Sequence, residues 1–158
     1  MEVNYIISKA TKNDIIGIYN LVHREYVKKY SPNSEKLELE KHKKCYEFWL
    51  KSPYYIIYIV KDKKGTVIGQ IRYEIDGEIS IINVYLSKKN RGKGLGKIFI
   101  ERSIKNLKVE RNGIKVILAY ILEENDISKK IFLNFGFLFS ENKNYNGIDH
   151  LIYIKKIR

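Results

Sequence analysis

The chain has 158 residues, 44% of them hydrophobic and 30% charged, which excludes a disordered or low-complexity protein and fits one domain, 1–158, with a core of its own. A formal charge of +12 points to a polyanionic partner, either nucleic acid or a nucleotide-bearing small molecule, although lysines dispersed among glutamates also suit a plainly solvated surface. Cys45 is the only cysteine, which excludes an internal disulfide and a cysteine-based metal site; the longest apolar run, Tyr54–Val60, is far too short to span a bilayer, and with no apolar leader after Met1 a cytoplasmic protein is expected.

Val3–Ser8 reads as a first strand. Thr11-Lys12-Asn13-Asp14 opens a helix, with Thr11 as N-cap and Asp14 closing a capping box, and Ile15, Ile18, Leu21 and Val22 keep helical spacing. Ser31-Pro32-Asn33 breaks the chain. A second helix, 35–51, has apolar positions at Leu37, Leu39, Cys45, Phe48 and Trp49 and ends at Ser52-Pro53. Tyr54–Lys61, Thr66–Ile75 and Glu78–Leu86 read as three strands joined by the tight turns Asp62–Gly65 and Asp76-Gly77. A glycine-rich loop leads into a helix ending near Leu107, and Ile114–Leu122 is the next strand. Asn125–Phe135 is a helix with Ile127, Ile131 and Phe135 at spacing four. Phe137–Ser140 and Leu151–Lys156 read as closing strands around a loop, Glu141–Asp149. The order β-α-α-β-β-β-α-β-α-β-β gives an α/β fold. Its hairpin-linked strands predict an antiparallel part, the strand-helix-strand crossover a parallel pair, and helices are expected on both faces of one mixed sheet.

The loop Arg91-Gly92-Lys93-Gly94-Leu95-Gly96-Lys97 carries the chemistry. Glycines at alternate positions before a helix leave backbone N–H groups free at the helix N-terminus, and Arg91, Lys93 and Lys97 surround them, which suits a phosphate-bearing ligand. A Walker-type loop requires a glycine where Arg91 stands and Ser or Thr where Ile98 stands, and a dinucleotide fingerprint requires another spacing after an early strand, so both fail. A plain strand-to-helix turn stays open, but each glycine costs conformational entropy that such a turn does not need.

Arg91-Gly92-Lys93-Gly94-Leu95-Gly96 resembles the R/Q-x-x-G-x-G/A motif of the GCN5-related N-acetyltransferase (GNAT) superfamily, and Asn125-Asp126-Ile127-Ser128 followed by Ile131–Phe137 is similar to its second motif. The element order resembles the GNAT fold over nearly the whole chain. The resemblance implies acetyl-CoA as donor and no metal. The backbone of Val84, Tyr85 and Leu86 would pair with the pantetheine arm, Gly92 to Lys97 would hold the pyrophosphate with Arg91 beside them, and Asn125 and Ser128 would contact the pantetheine side. Asn125 also reads as a simple helix cap. An amine would attack the thioester directly, so the amine needs its proton removed and the leaving thiolate can take one up. Backbone N–H near Leu86 would serve the developing oxyanion.

The proton-handling positions depart from that pattern. Phe132 stands where the family usually has its tyrosine acid, Tyr120 where a glutamate base is frequent, and Ser80 where another subgroup has its base. Glu78, two residues earlier on the same strand face, is the nearest carboxylate to Ser80, although it also reads as a turn charge; Tyr85 and Tyr120 are the hydroxyl candidates. For the acceptor, Lys29–Asn33, His42, Leu50, Pro53 and Gly69-Gln70-Ile71-Arg72 resemble a subgroup that acetylates nucleotide-linked amino sugars on the route to pseudaminic-acid-type sugars, with Cys45 where that subgroup commonly has tryptophan. Gln70 and Arg72 share a strand face and suit a phosphate or sugar hydroxyls; His42 suits a base or a sugar contact; either face also reads as ordinary surface. The expectation is an N-acetyltransferase acting on a small-molecule or nucleotide-sugar amine, with a protein N-acetyltransferase or a catalytically weak CoA-binding module as alternatives. No membrane partner is expected, nucleic acid is the weakest partner class, and a homodimer is left open.

Overall fold

The computed structural model describes residues 5–23, 32–92, 94–145 and 147–158, the side chains of 23, 32–37 and 145 excepted. Expectations placed on Val3, Lys29, Tyr30, Ser31, Lys93 and the side chain of Leu37 lie outside the described residues. The elements are β1 (Ile6–Lys9), a 3-10 turn (Lys12–Asp14), α1 (Ile15–His23), α2 (Pro32–Lys51), β2 (Tyr55–Lys61), β3 (Val67–Asp76), β4 (Ile79–Leu86), a 3-10 turn (Lys88–Asn90), α3 (Leu95–Glu110), β5 (Val116–Leu122), α4 (Asp126–Asn134), β6 (Leu138–Tyr145) and β7 (Ile148–Lys156). The strands form one seven-stranded sheet in the order β1-β2-β3-β4-β5-β7-β6. The sheet is mixed: β4 and β5 run parallel, while β1/β2, β5/β7 and β6/β7 are antiparallel. The expected α/β class and element order both hold.

Local chemistry accounts for the boundaries. Pro32 takes the first position of α2, where its missing N–H is no loss, so Pro32 and Asn33 belong to the helix and not to the expected chain break. The Asp62 carboxylate accepts the N–H groups of Lys64 (2.9 Å) and Thr66 (3.0 Å), and Gly65 at φ +81 completes the β2–β3 turn. One expectation is corrected: 141–149 is not a loop. β6 and β7 extend through it as a hairpin, in register from Leu138 opposite Ile154 to Tyr145 opposite Ile148, with an irregularity between Phe139 and Glu141. Glu141–Asn144 lack apolar alternation because β6 is the edge strand and its backbone ladder, not a buried face, holds it.

By its internal packing the chain divides into two compact units: the described residues of Met1–Arg72 with Val84–Gly92, and those of Tyr73–Asn83 with Lys93–Arg158. In the first, Ile15 and Ile18 of α1 and Tyr46 of α2 pack with Ile57, Ile59 and Val67 of the strands. Gly17 permits this, since a Cβ there would lie 2.8 Å from Val67 Cγ2. β2 is buried along nearly its whole length, as its continuous apolar sequence requires. In the second unit the buried side chains include Phe99, Ile100, Ile104 and Leu107 of α3, Ile117, Ala119 and Ile121 of β5, and Phe132, Phe137 and Ile152. Tyr73 is fully buried there with its hydroxyl 2.8 Å from Ser103 Oγ, and burial pushes its phenol far above the usual range.

Candidate functional site

The expected donor residues fall in both units. In the first, β4 ends at Leu86, and Ser87 N–H donates to Ile68 C=O (2.8 Å). The paired stretch of β4 with β5 runs from Ile79 opposite Val116 to Ile82 opposite Ala119, so Val84, Tyr85 and Leu86 follow its last pair. Arg91 folds back on this strand end: its Nε donates to Leu86 C=O (2.9 Å), and its guanidinium carbon lies 5.4 Å from the centre of the Tyr85 ring. Buried Asn90 fixes the turn before it, its amide donating to Ser87 Oγ (2.5 Å). Gly92 follows at φ +77.

In the second unit Gly94 is the N-cap of α3 at φ +76, and among the described residues no side-chain cap hydrogen bond is made there. The first turn, which holds Leu95, Gly96 and Lys97, contains no acidic residue. A Cβ on Gly92 or Gly94 would meet nothing within 4 Å, so left-handed backbone, not crowding, makes glycine necessary at both. Uncapped N–H groups, open space and the absence of acid fit a phosphate group. The Lys97 ammonium lies 6.0 Å from the centre of the Phe135 ring. Asn125 caps α4: its side-chain oxygen accepts Ser128 N–H (3.1 Å), which brings Asn125 and Ser128 together as the sequence predicts.

The catalytic candidates separate. Glu78 sits at the turn before β4, exposed, with its carboxylate 3.2 Å from the Lys115 ammonium and its carbonyl accepting Lys115 and Val116 N–H. The sequence offers Glu78 as the carboxylate nearest Ser80; it stands just before β4, at the opposite end of that strand from Leu86. Tyr120 is half-buried on β5, its ring 6.1 Å from the His150 ring and 5.8 Å from the Lys143 ammonium. His150 and Lys143 stand opposite each other on β7 and β6. Sequence reasoning singled out neither, because it took 141–149 for a loop and began the last strand at Leu151. Phe132, at the usual tyrosine position, is buried against Phe137 with ring centres 5.0 Å apart. Ser80 is fully buried and its Oγ has no partner among the described residues.

The acceptor candidates converge within the first unit. His42 is buried, with its Nε2 2.9 Å from Ile15 C=O and its ring 5.2 Å from Tyr19 and 4.3 Å from Tyr46. It is a core residue linking α2 to α1, not the helix-surface histidine that the sequence offers as a base or a sugar contact. Gln70 is 2% exposed, and its side-chain oxygen accepts the Tyr46 hydroxyl. Burial pushes the Tyr46 phenol up, against the opposing pull of the nearby Arg72 charge and the Gln70 and Arg72 hydrogen bonds. Arg72 is half-buried, its guanidinium carbon 4.1 Å from the centre of the Trp49 ring. Tyr46 was not singled out, whereas Trp49, one turn after Cys45, stood as a substitute for the subgroup's tryptophan. The signal was present, since His42, Tyr46 and Trp49 fall at i, i+4 and i+7 of one helix. Cys45, between them, is exposed.

Among the described residues no helix is long and apolar enough to cross a membrane, and no group of three or more His, Cys, Asp or Glu is placed to hold a metal.

A family model described as an acetyltransferase (GNAT) domain matches residues 7–148. The L-2,4-diaminobutyric acid acetyltransferase of Wolinella succinogenes is 36% identical over 73 residues, 46% of this chain and 42% of that protein. The chain spans about half the length of the curated relatives it matches. Among solved structures, the RimL ribosomal L7/L12 alpha-N-protein acetyltransferase in complex with coenzyme A superposes with a TM-score of 0.80 at 14% identity, covering 99% of this chain and 96% of that one. The dodecameric spermidine N-acetyltransferase of Vibrio cholerae does so with 0.75 at 16%, covering 97% and 94%. At these identities the structural likeness concerns the fold.

Proposed function

We propose that this chain, which belongs to the GNAT acetyltransferase family, is a single-domain N-acetyltransferase whose acceptor is a small primary amine that also carries an anionic group. A nucleotide-linked amino sugar, with its diphosphate as the anion, is the first choice. The observation that carries the acceptor reading is Arg72, whose guanidinium stacks on Trp49 beside the buried Tyr46–Gln70 hydrogen bond. A guanidinium fixed in plane by an aromatic face presents its N–H fork at low entropic cost, which suits a phosphate or carboxylate. The relative named for a diamino acid is consistent with such an acceptor, since that amine also bears a carboxylate.

When bound, acetyl-CoA supplies an acetyl group activated as a thioester. The backbone of Gly92 to Lys97 is assigned to its pyrophosphate, with Arg91 beside it, and Val84, Tyr85, Leu86, Asn125 and Ser128 to its pantetheine arm. Gly94 keeps the first N–H groups of α3 free of a side-chain cap, so they remain available to an anion. Arg91, tied to the Leu86 carbonyl, links the phosphate loop to the strand end assigned to the thioester. Phe132 has no proton to give, and a thiolate leaves readily near neutral pH, so acid assistance is left to the hydroxyls of Tyr120 or Tyr85. Glu78 is not part of this set.

The test is a CoA-release assay with wild type and Arg72→Met over nucleotide-linked amino sugars, diamino acids, polyamines and N-terminal peptides. One charge-assisted contact to the acceptor corresponds to roughly a 10- to 100-fold rise in KM. We expect that rise for the anionic amines, with KM for acetyl-CoA unchanged. Turnover confined to polyamines or peptides, or an Arg72→Met enzyme with unaltered KM, overturns the acceptor reading.

A further inference from the structure

A cleft of about 540 Å³ opens within the first unit between α1, the β2–β3 turn and the Lys88–Asn90 turn. None of the described residues assigned above to acetyl-CoA or to the acceptor lines it. Its volume is in the range that holds a small ligand. Among the described residues Asp14 is the one carboxylate in its lining, and that charge is already committed: it lies 2.9 Å from the Lys61 ammonium and accepts the N–H (2.8 Å) and hydroxyl (3.1 Å) of Thr11. Lys88 and Lys89, both exposed, therefore leave the lining with about two uncompensated positive charges. Neutral donors line the same space, with Asn13 on the 3-10 turn before α1, Asn20 on α1 and Thr66 on the β2–β3 turn. Ser87 Oγ already accepts from the Asn90 amide, so its own hydrogen is left to donate. The floor is held close by Gly17, where any side chain would collide with Val67.

We infer that this cleft is a second anion site, which takes a phosphate group apart from the pyrophosphate assigned to the glycine loop. Lys88 and Lys89 supply the charge, and Asn13, Asn20 and Thr66 supply neutral hydrogen bonds. The same segment continues directly into Arg91 and Gly92, with Arg91 N–H bonded to Lys88 C=O (3.2 Å), so an occupant of the cleft touches the turn that presents the donor loop. The phosphate could belong to a free phosphorylated metabolite or to the 3′-phosphate of CoA, and the two sources are separable.

The test is calorimetric titration of inorganic pyrophosphate into the full chain, alone and saturated with CoA, together with titrations of CoA and dephospho-CoA. Each is repeated on a Lys88→Ala/Lys89→Ala variant and on a Lys105→Ala/Lys108→Ala control on α3, with thermal melts to verify folding. For a free metabolite, pyrophosphate binds the CoA-saturated protein, and the Lys88/Lys89 variant binds it roughly tenfold or more weakly while the control is unchanged. For the CoA 3′-phosphate, saturation with CoA abolishes pyrophosphate binding, and wild type prefers CoA over dephospho-CoA by a margin that the variant erases and the control keeps. If pyrophosphate binding and the CoA preference are both absent, or are unaffected by the variant, or fall equally in the control, the inference is overturned.

Discussion

Replacing Gly94 with alanine tests the donor loop with little steric ambiguity. Gly94 sits at φ +76, and a Cβ there would meet nothing within 4 Å, so the added methyl brings strain without collision. Left-handed backbone costs an L-residue about 1–2 kcal/mol. Alanine also narrows the unfolded ensemble, which returns about 0.4–1 kcal/mol to folding, so thermal stability should fall little. The strain appears in binding. A loop that relaxes away from φ +76 must be driven back to present its N–H groups, and 1–2 kcal/mol corresponds to roughly 5- to 30-fold weaker CoA binding. Calorimetry with CoA measures this directly. Gly94→Asn, which tolerates the left-handed region, should recover most of the affinity. Gly113→Ala is the control, at a glycine of ordinary φ in open space, and should leave CoA affinity unchanged. A Gly94→Ala protein that binds CoA as tightly as wild type refutes the reasoning, because the left-handed cap would then have no part in binding.

Three further outcomes follow from packing and charge. Burial alone would raise the Asp14 pKa, but the Lys61 and Thr11 hydrogen bonds and the Lys61 charge outweigh it and hold the carboxyl below its usual value. Its stabilisation is therefore present above pH 4 and lost as pH falls through the lowered value; Asp14→Ala should cost about 2 kcal/mol in urea melts at pH 7 and much less at pH 2, and an equal cost at both would contradict the ion pair. Ser80→Ala should be neutral or stabilising by about 1 kcal/mol, since it removes a buried hydroxyl that lacks a described partner; a loss above that value means the hydroxyl has one. Glu78→Gln removes only an exposed ion pair with Lys115, so it should change stability by less than about 1 kcal/mol and leave kcat unaltered, whereas a 100-fold fall in kcat would restore Glu78 as the base.

The fold was legible where the sequence carries strong local punctuation. Apolar β2, the Asp62–Gly65 turn, the Thr11–Asp14 N-terminus and the Asn125 cap appear with the partners their chemistry requires. The β6–β7 hairpin was not legible, because an edge strand held by its backbone needs no apolar alternation and Glu141–Asn144 offer none. Residue type and spacing identified the glycine loop, since a left-handed backbone imposes glycine at Gly92 and Gly94. They could not tell a buried from an exposed face of α2. His42 therefore read as a surface residue, a base or a sugar contact, while Tyr46, four residues on and in the same core, went unremarked. Glu78 was offered as the carboxylate nearest Ser80, and strand-face parity says nothing about distance along the strand.

The central claim is that this chain moves an acetyl group onto an amine. It is tested most directly by incubating the purified full chain with acetyl-CoA and a nucleotide-linked amino sugar, following CoA release and identifying the product by NMR. The account predicts stoichiometric CoA release with an N-acetylated sugar as the product. Acetyl-CoA that binds the protein but yields no CoA with this sugar or any other primary amine would contradict it, and would leave the chain a CoA-binding module.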